Sequence, residues 1–235
     1  MNSGHRKNEL ELLLWSAVLA SCVLLYTVWP QLDLAISRLV FAPNQGFVAA
    51  ESTVIGWIHH AVPIAGWLLF LSGTAVALGF PLRRSLRMRI VGAALAISML
   101  AGVAGVVNGI LKSHWGRARP VHVAEFGGAA QYTPPLVITR QCERNCSFVS
   151  GHASTGFALM ALGVYGKRRQ RRRWLAIGWA AGLSLGVIRI AQGGHFMGDV
   201  LFAGLLMWGL CLAMRPILLG TFRFFSAERI VWRRV

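Results

Sequence analysis

Six long apolar runs leave this chain few ways to fold: roughly residues 10–29, 61–81, 90–111, 152–166, 174–192 and 197–218. Runs of about 20 apolar residues are the length of a bilayer-crossing helix, and a helix satisfies its own backbone hydrogen bonds in lipid. With 55% of residues hydrophobic and 14% charged, the composition excludes an ordinary soluble domain. The expected fold is therefore all-α. Residues 1–235 form a single integral membrane domain, a bundle of six transmembrane helices whose outer-face loop region carries the active site. The first run, after Glu11, reads as a retained span, because it is of bilayer length and no small-residue cleavage site follows it.

A net charge of +16 raises the question of nucleic acid, and its distribution answers it. The basic residues cap apolar runs, as membrane topology requires, and do not interleave with aromatics along a groove. Arg6 and Lys7 precede the first run. Arg83, Arg84, Arg87 and Arg89 fall between the second and third, and Lys167 to Arg173 between the fourth and fifth. Arg215, Arg223, Arg229, Arg233 and Arg234 occupy the tail. The other side receives Arg38, Lys112, Arg117, Arg119, Arg140, Arg144 and Arg189. The positive-inside rule then puts both termini in the cytoplasm and predicts no nucleic-acid partner. The Lys167–Arg173 run reads as a topology anchor.

Three stretches depart from simple spans. Residues 30–60, with Pro30, Asp33, Arg38, Pro43 and Glu51 among apolar residues, are too polar to cross. They read as an interfacial stretch on the outer face with one short helix, and His59 and His60 as structural residues at that interface. The fourth run is short: from His152 to Lys167 a helix rises ~23 Å, so its outer end is expected to be sunken. The loop between Ser113 and Ser150 is rich in proline and glycine, and unstructured loops of such length are usually functional. It holds Cys142 and Cys146, four apart, for which a disulfide is expected if the outer compartment is oxidising. Cys22 and Cys211 fall inside spans and read as packing residues.

Polar groups collect at the outer ends of three spans. The third ends in Lys112, His114, Arg117 and Arg119-Pro120. The fourth begins with Ser150-Gly151-His152 at a helix N-terminus, where free backbone N–H groups favour an anion. The turn from fifth to sixth holds Arg189, His195 and Asp199. Ionisable groups at membrane depth are costly and point to function. Three cations, a hydroxyl, backbone donors, two histidines and one carboxylate suit a phosphate monoester, whose transition state is stabilised by positioned cations and donors. Asp199, four residues beyond His195, shares its face if the last helix starts near Gly194, and would orient the imidazole as nucleophile. His152 would serve as acid and base. Lys112, Arg119, Arg189, Ser150 and Gly151 would hold the phosphate. His114, Arg117 and His122 are less tied to this chemistry, and His114 reads as a solvated loop residue.

These three pieces resemble the tripartite signature of the type 2 phosphatidic acid phosphatase (PAP2) superfamily. Lys112 with Arg119-Pro120 matches its first piece. Ser150-Gly151-His152 matches the second, with Val149 in place of proline. Arg189, His195 and Asp199 match the third, with Ile188 in place of serine. The resemblance covers about residues 90–219. It implies a metal-independent lipid phosphatase without cofactor, with His195 as nucleophile and His152 as acid and base. It further implies a periplasmic active site in a bacterial inner membrane and, as substrate, lipid A phosphate, phosphatidylglycerophosphate, phosphatidic acid or undecaprenyl pyrophosphate. A lipid-to-lipid phosphotransferase and a non-catalytic lipid-phosphate binding or transport protein are the alternatives; the oligomeric state stays open.

Overall fold

The structure is a computed structural model that describes residues 3–80 and 85–232, with side chains described for 9–80 and 85–220. The predicted basic residues Arg83, Arg84, Arg233 and Arg234 lie outside the described residues, as do the side chains of Arg6, Lys7, Arg223 and Arg229. Among the described residues the regular structure is helical apart from one small hairpin and an isolated bridge between Val123 and Ala130. In order it forms α1 (Ser3–Val28), α2 (Leu32–Arg38), β1 (Phe41–Ala42), β2 (Gly46–Phe47), α3 (Thr53–Leu78), α4 (Leu86–Ile97), a wider π-helical continuation (Ser98–Leu111), α5 (Lys112–His114), α6 (Gly151–Phe157), α7 (Arg168–Ala191) and α8 (Met197–Trp232).

Among the described residues five helices are long and apolar enough to cross a membrane: Glu9–Val28, Thr53–Leu78, Leu86–His114, Arg168–Ala191 and Met197–Gly220. Their outer faces are apolar, as lipid contact requires: Leu13, Leu24, Trp67, Leu71 and Val187 are all exposed. The run expected as the fourth span is different. It forms α6 and a 3₁₀ segment, Ala158–Gly163, too short to be counted with the five. Ala153, Phe157, Ala158 and Ala161 have no exposed surface, so this segment is the inner strut of the bundle. Small residues let it approach α7 closely: a Cβ at Gly156 would sit 2.7 Å from the backbone nitrogen of Gly182. The core around it holds Val107, Phe148, Phe202, Met207 and Trp208.

The short helix expected within residues 30–60 is α2, followed by the hairpin, while the end of that stretch is already part of α3. Ser52 caps a helix that starts at Thr53, its hydroxyl accepting from Ile55 N–H at 3.5 Å. His59 and His60 thus lie inside α3. A serine cap followed by an apolar run is a start signal that outweighs the local polarity. The last helix begins at Met197, three residues later than Gly194, so His195 belongs to the preceding turn.

Candidate active site

The loop between α5 and α6 folds back over the bundle, and two hydrogen bonds fix its return. Cys146 N–H donates to the Lys112 carbonyl at 3.2 Å, and Ser147 N–H to the Arg117 carbonyl at 2.8 Å. Cys142 and Cys146 are joined by a disulfide, with Cα atoms 5.7 Å apart. Between them, Asn145 adopts a left-handed backbone with φ of 51°, a conformation that asparagine tolerates better than most residues. In that pose it gathers two of the expected phosphate ligands. Its side-chain oxygen accepts from Lys112 Nζ at 3.3 Å, and its carbonyl accepts from Arg119 Nε at 3.1 Å and Nη2 at 2.8 Å. Burial lowers the Arg119 guanidinium below the usual arginine range.

Ser150 caps α6, its hydroxyl accepting from Ala153 N–H at 3.4 Å. Its own N–H donates to the Asp199 carbonyl at 3.1 Å, which ties the start of α6 to the start of α8. Gly151 faces Asn108 and Lys112: a Cβ there would stand 2.7 Å from Asn108 Oδ1 and 3.5 Å from Lys112 Nζ. One residue on, His152 stacks on His59, with ring centroids 4.5 Å apart and planes 8° from parallel. Its Nε2 lies 3.0 Å from the His59 carbonyl, the geometry of an N–H donating to it.

Arg189, near the end of α7, is buried and reaches the same place from the other side. Its Nη1 donates to His59 Nδ1 at 3.0 Å and to the Gln192 side-chain oxygen. The turn beyond it leaves room for the guanidinium because residue 194 is glycine; a Cβ at Gly194 would collide with it. His195 follows, almost fully buried. Burial pushes its imidazole down to about 3, against the pull of Asp199, so the ring is neutral at physiological pH.

Asp199 stands behind His195 but is held mainly by other groups. Its carboxylate accepts from Arg117 Nη1, Ser147 Oγ and, at 2.8 Å, Phe196 N–H. The His195 Nδ1 is 3.6 Å from Asp199 Oδ2, beyond hydrogen-bond reach, and among the described residues nothing else hydrogen-bonds it. Arg117, which the sequence tied only loosely to this chemistry, has no exposed surface. Loss of solvation lowers a buried guanidinium, but Asp199 and Asp33 overcome that and raise Arg117 above its ordinary range. His114 and His122 are exposed, and His114 Nδ1 lies 2.8 Å from the Ile110 carbonyl in its own helix.

Lys112, Gly151 and His152 open onto a cavity of about 500 Å³ that continues down between α3 and the π-helix. Below the polar mouth its walls are Val62, Trp67, Phe70, Met99 and Val103. The site therefore joins a cationic pocket to an apolar groove between α3 and the π-helix.

Three sequence pieces separated by tens of residues meet here, and the PAP2 superfamily model matches the stretch that contains them all, residues 90–222. The chain belongs to the PAP2 superfamily. Among curated proteins, the lipid A 4'-phosphatase of Francisella tularensis subsp. novicida (strain U112) is 43% identical over 115 residues, 48% of this chain and 52% of that protein. The lipid A 4'-phosphatase of Rhizobium leguminosarum is 33% identical over 108 residues, 46% of each chain. The chain spans about half the length of the curated relatives it matches. No solved structure matches it significantly.

Within this PAP2 chain, four site residues escaped the sequence reading: His59, Arg117, Asn145 and Asp33. Asp33 carried a signal, an isolated charge between leucines, and Arg117 stood between Lys112 and Arg119. Asn145 carried a weaker one, an asparagine between two cysteines where a tight turn is needed. His59 lies in an apolar helix, where a histidine more often packs than acts.

Proposed function

We propose that the chain hydrolyses a phosphate monoester or pyrophosphate on an amphiphilic lipid, with a lipid A phosphate foremost, at the periplasmic face of a bacterial inner membrane. The observation that carries this reading is an apolar groove whose mouth is lined by Lys112, Asn145, His59 and His152, with Arg119 held on Asn145, Arg189 on His59, and His195 buried beside Asp199. The cations suit the phosphate, and the groove suits a lipid tail. The lipid A 4'-phosphatases among its relatives favour lipid A over the other candidate lipids.

His195 faces Asp199 through Nδ1, so Nε2 is the nitrogen left to attack phosphorus. A phosphorus–nitrogen bond forms as the bond to the lipid oxygen breaks, and protonated His152 gives its proton to the departing oxygen. Its Nε2–H is engaged with the His59 carbonyl, which leaves Nδ1 to exchange that proton. In the second half, neutral His152 takes a proton from water. The resulting hydroxide displaces His195 from phosphorus, freeing phosphate and restoring the neutral imidazole. Lys112, Arg119, Arg189 and the N–H groups at the start of α6 hold the equatorial oxygens in both halves.

The experiment is phosphate release by the purified protein in detergent from bisphosphorylated lipid A, with phosphatidic acid and undecaprenyl pyrophosphate alongside. Mass spectrometry of the lipid product identifies which phosphate is lost. Release from lipid A with inhibition by vanadate, a mimic of the five-coordinate transition state, is expected; turnover confined to another lipid would reassign the substrate, and none on any would refute the enzyme.

A further inference from the structure

Behind the catalytic face lies a second layer of charge, which joins Asp199 to two residues outside the matched signature positions, Arg117 and Asp33. Asp33, in α2, is fully buried and does not line the cavity. Its Oδ2 pairs with Arg117 Nη2 at 2.7 Å, while Arg117 Nη1 pairs with Asp199. The three side chains form a chain of charges, minus, plus, minus, with no exposed surface at any of them. Every link is braced. Tyr26 O–H and Gly198 N–H each donate to Asp33 Oδ1 at 2.8 Å. Arg117 Nε donates to the Thr133 carbonyl at 2.8 Å, and its guanidinium lies 4.3 Å over the Phe196 ring.

The charge count gives this arrangement a consequence. When His195 attacks phosphorus its ring becomes a cation, and the nearest carboxylate is Asp199 at 3.6 Å. An arginine paired with Asp199 alone would cancel that carboxylate and leave nothing to stabilise the ring. Asp33 takes the other half of the same guanidinium, so one net negative charge remains beside His195. We infer that Asp33 is a positioning residue of the site: through Arg117 it preserves the charge that Asp199 presents to the imidazole. The inference rests on the phosphohistidine reading above. It also explains why a third ionised group is buried here, where two carboxylates and one guanidinium cost more desolvation than a single pair.

The test is kinetic, with wild type, His195→Ala, Asp33→Asn and the double variant Asp33→Asn/Arg117→Gln, each shown monodisperse in detergent and assayed for phosphate release from lipid A and dioctanoyl phosphatidic acid. Asp33→Asn neutralises the relay, and kcat is expected to fall ~10- to 100-fold with KM within about threefold, since the charge matters only as the ring becomes a cation. The double variant restores the single uncancelled carboxylate, so kcat should recover at least about fivefold over Asp33→Asn, although two contacts are lost instead of one. It removes the Asp33–Arg117 pair but leaves Asp199 with the Ser147 hydroxyl and the Phe196 N–H as donors, and it reads the inference even if Asp33→Asn does not accumulate: kcat within ~10-fold of wild type is then expected. A purely structural role predicts a lower melting temperature with unchanged kcat for Asp33→Asn, or a double variant slower than the single one, and either result overturns the inference. If His195→Ala itself turns over, the phosphohistidine reading fails instead; a dead His195→Ala beside a normal Asp33→Asn refutes the relay alone.

Discussion

Opening the Cys142–Cys146 bridge is the most local way to disturb the phosphate pocket without touching a residue that meets phosphate. The bridge closes a loop of sequence separation 4, and for so short a loop the chain-entropy relation gives about 2 kcal/mol. Its beneficiary is Asn145, held between the two cysteines in a left-handed pose, which costs an ordinary residue roughly 1 kcal/mol to maintain. Freed from the bridge, Asn145 relaxes toward negative φ. Its carbonyl then leaves Arg119, and its side chain leaves Lys112. If the full 2 kcal/mol goes into ordering these cations, kcat/KM falls by about 30-fold, mostly through KM, because in the proposed mechanism both cations hold phosphate before and during the reaction. The assay compares Cys142→Ser/Cys146→Ser with wild type in steady-state phosphate release. Alkylation and mass spectrometry confirm that the wild-type pair is oxidised. Wild-type kinetics in that variant would show that Asn145 holds its pose unaided, and the reasoning would be wrong.

Other consequences follow from the same contacts. His59→Ala removes both the acceptor for Arg189 and the ring stacked on His152, and a loss of about 10- to 100-fold in kcat/KM is expected from misplaced charge; His59→Asn, which keeps an acceptor near the Nδ1 position, should recover part of it. Gly194→Ala pushes a methyl into the Arg189 guanidinium, so activity should drop while the melting temperature moves little. His195 is neutral and buried with its proton affinity lowered to about 3, whereas the unfolded chain binds that proton near pH 6.5. The unfolded state thus holds more protons between those values, and stability should fall by about 1.4 kcal/mol per pH unit on acidification below pH 6.5. Melting curves of wild type and His195→Gln across pH 4–7 should differ in slope; parallel curves would exclude a neutral buried His195.

The sequence made the membrane helices and the three polar pieces legible because both are local patterns. An apolar run reports its own environment, and Lys112 to Pro120, Ser150 to His152 and Arg189 to Asp199 each carry their chemistry within a dozen residues. The start of α3 lies earlier than the expected 61–81 span because the charges and prolines up to Glu51 masked the Ser52 cap. The residues that hold the site together were hidden for a different reason. Arg117 and Asp33 are separated by 84 residues, and His152 and His59 by 93, so no spacing rule links them. The role of Asp199 shifted for the same cause: its nearness to His195 along the chain was visible, while Arg117, Ser147 and the Phe196 N–H, its closer partners, became apparent only in the fold.

The central claim is that phosphate passes through His195, and trapping that species tests it most directly. The purified protein is mixed with lipid A labelled with radioactive phosphate, quenched within milliseconds in alkali, where a phosphoramidate survives, and mapped by proteolysis and mass spectrometry. Label on the peptide containing His195, absent from His195→Ala and discharged by a chase in native buffer, is the expected result. Rapid phosphate release with no label on that peptide at any time would contradict it.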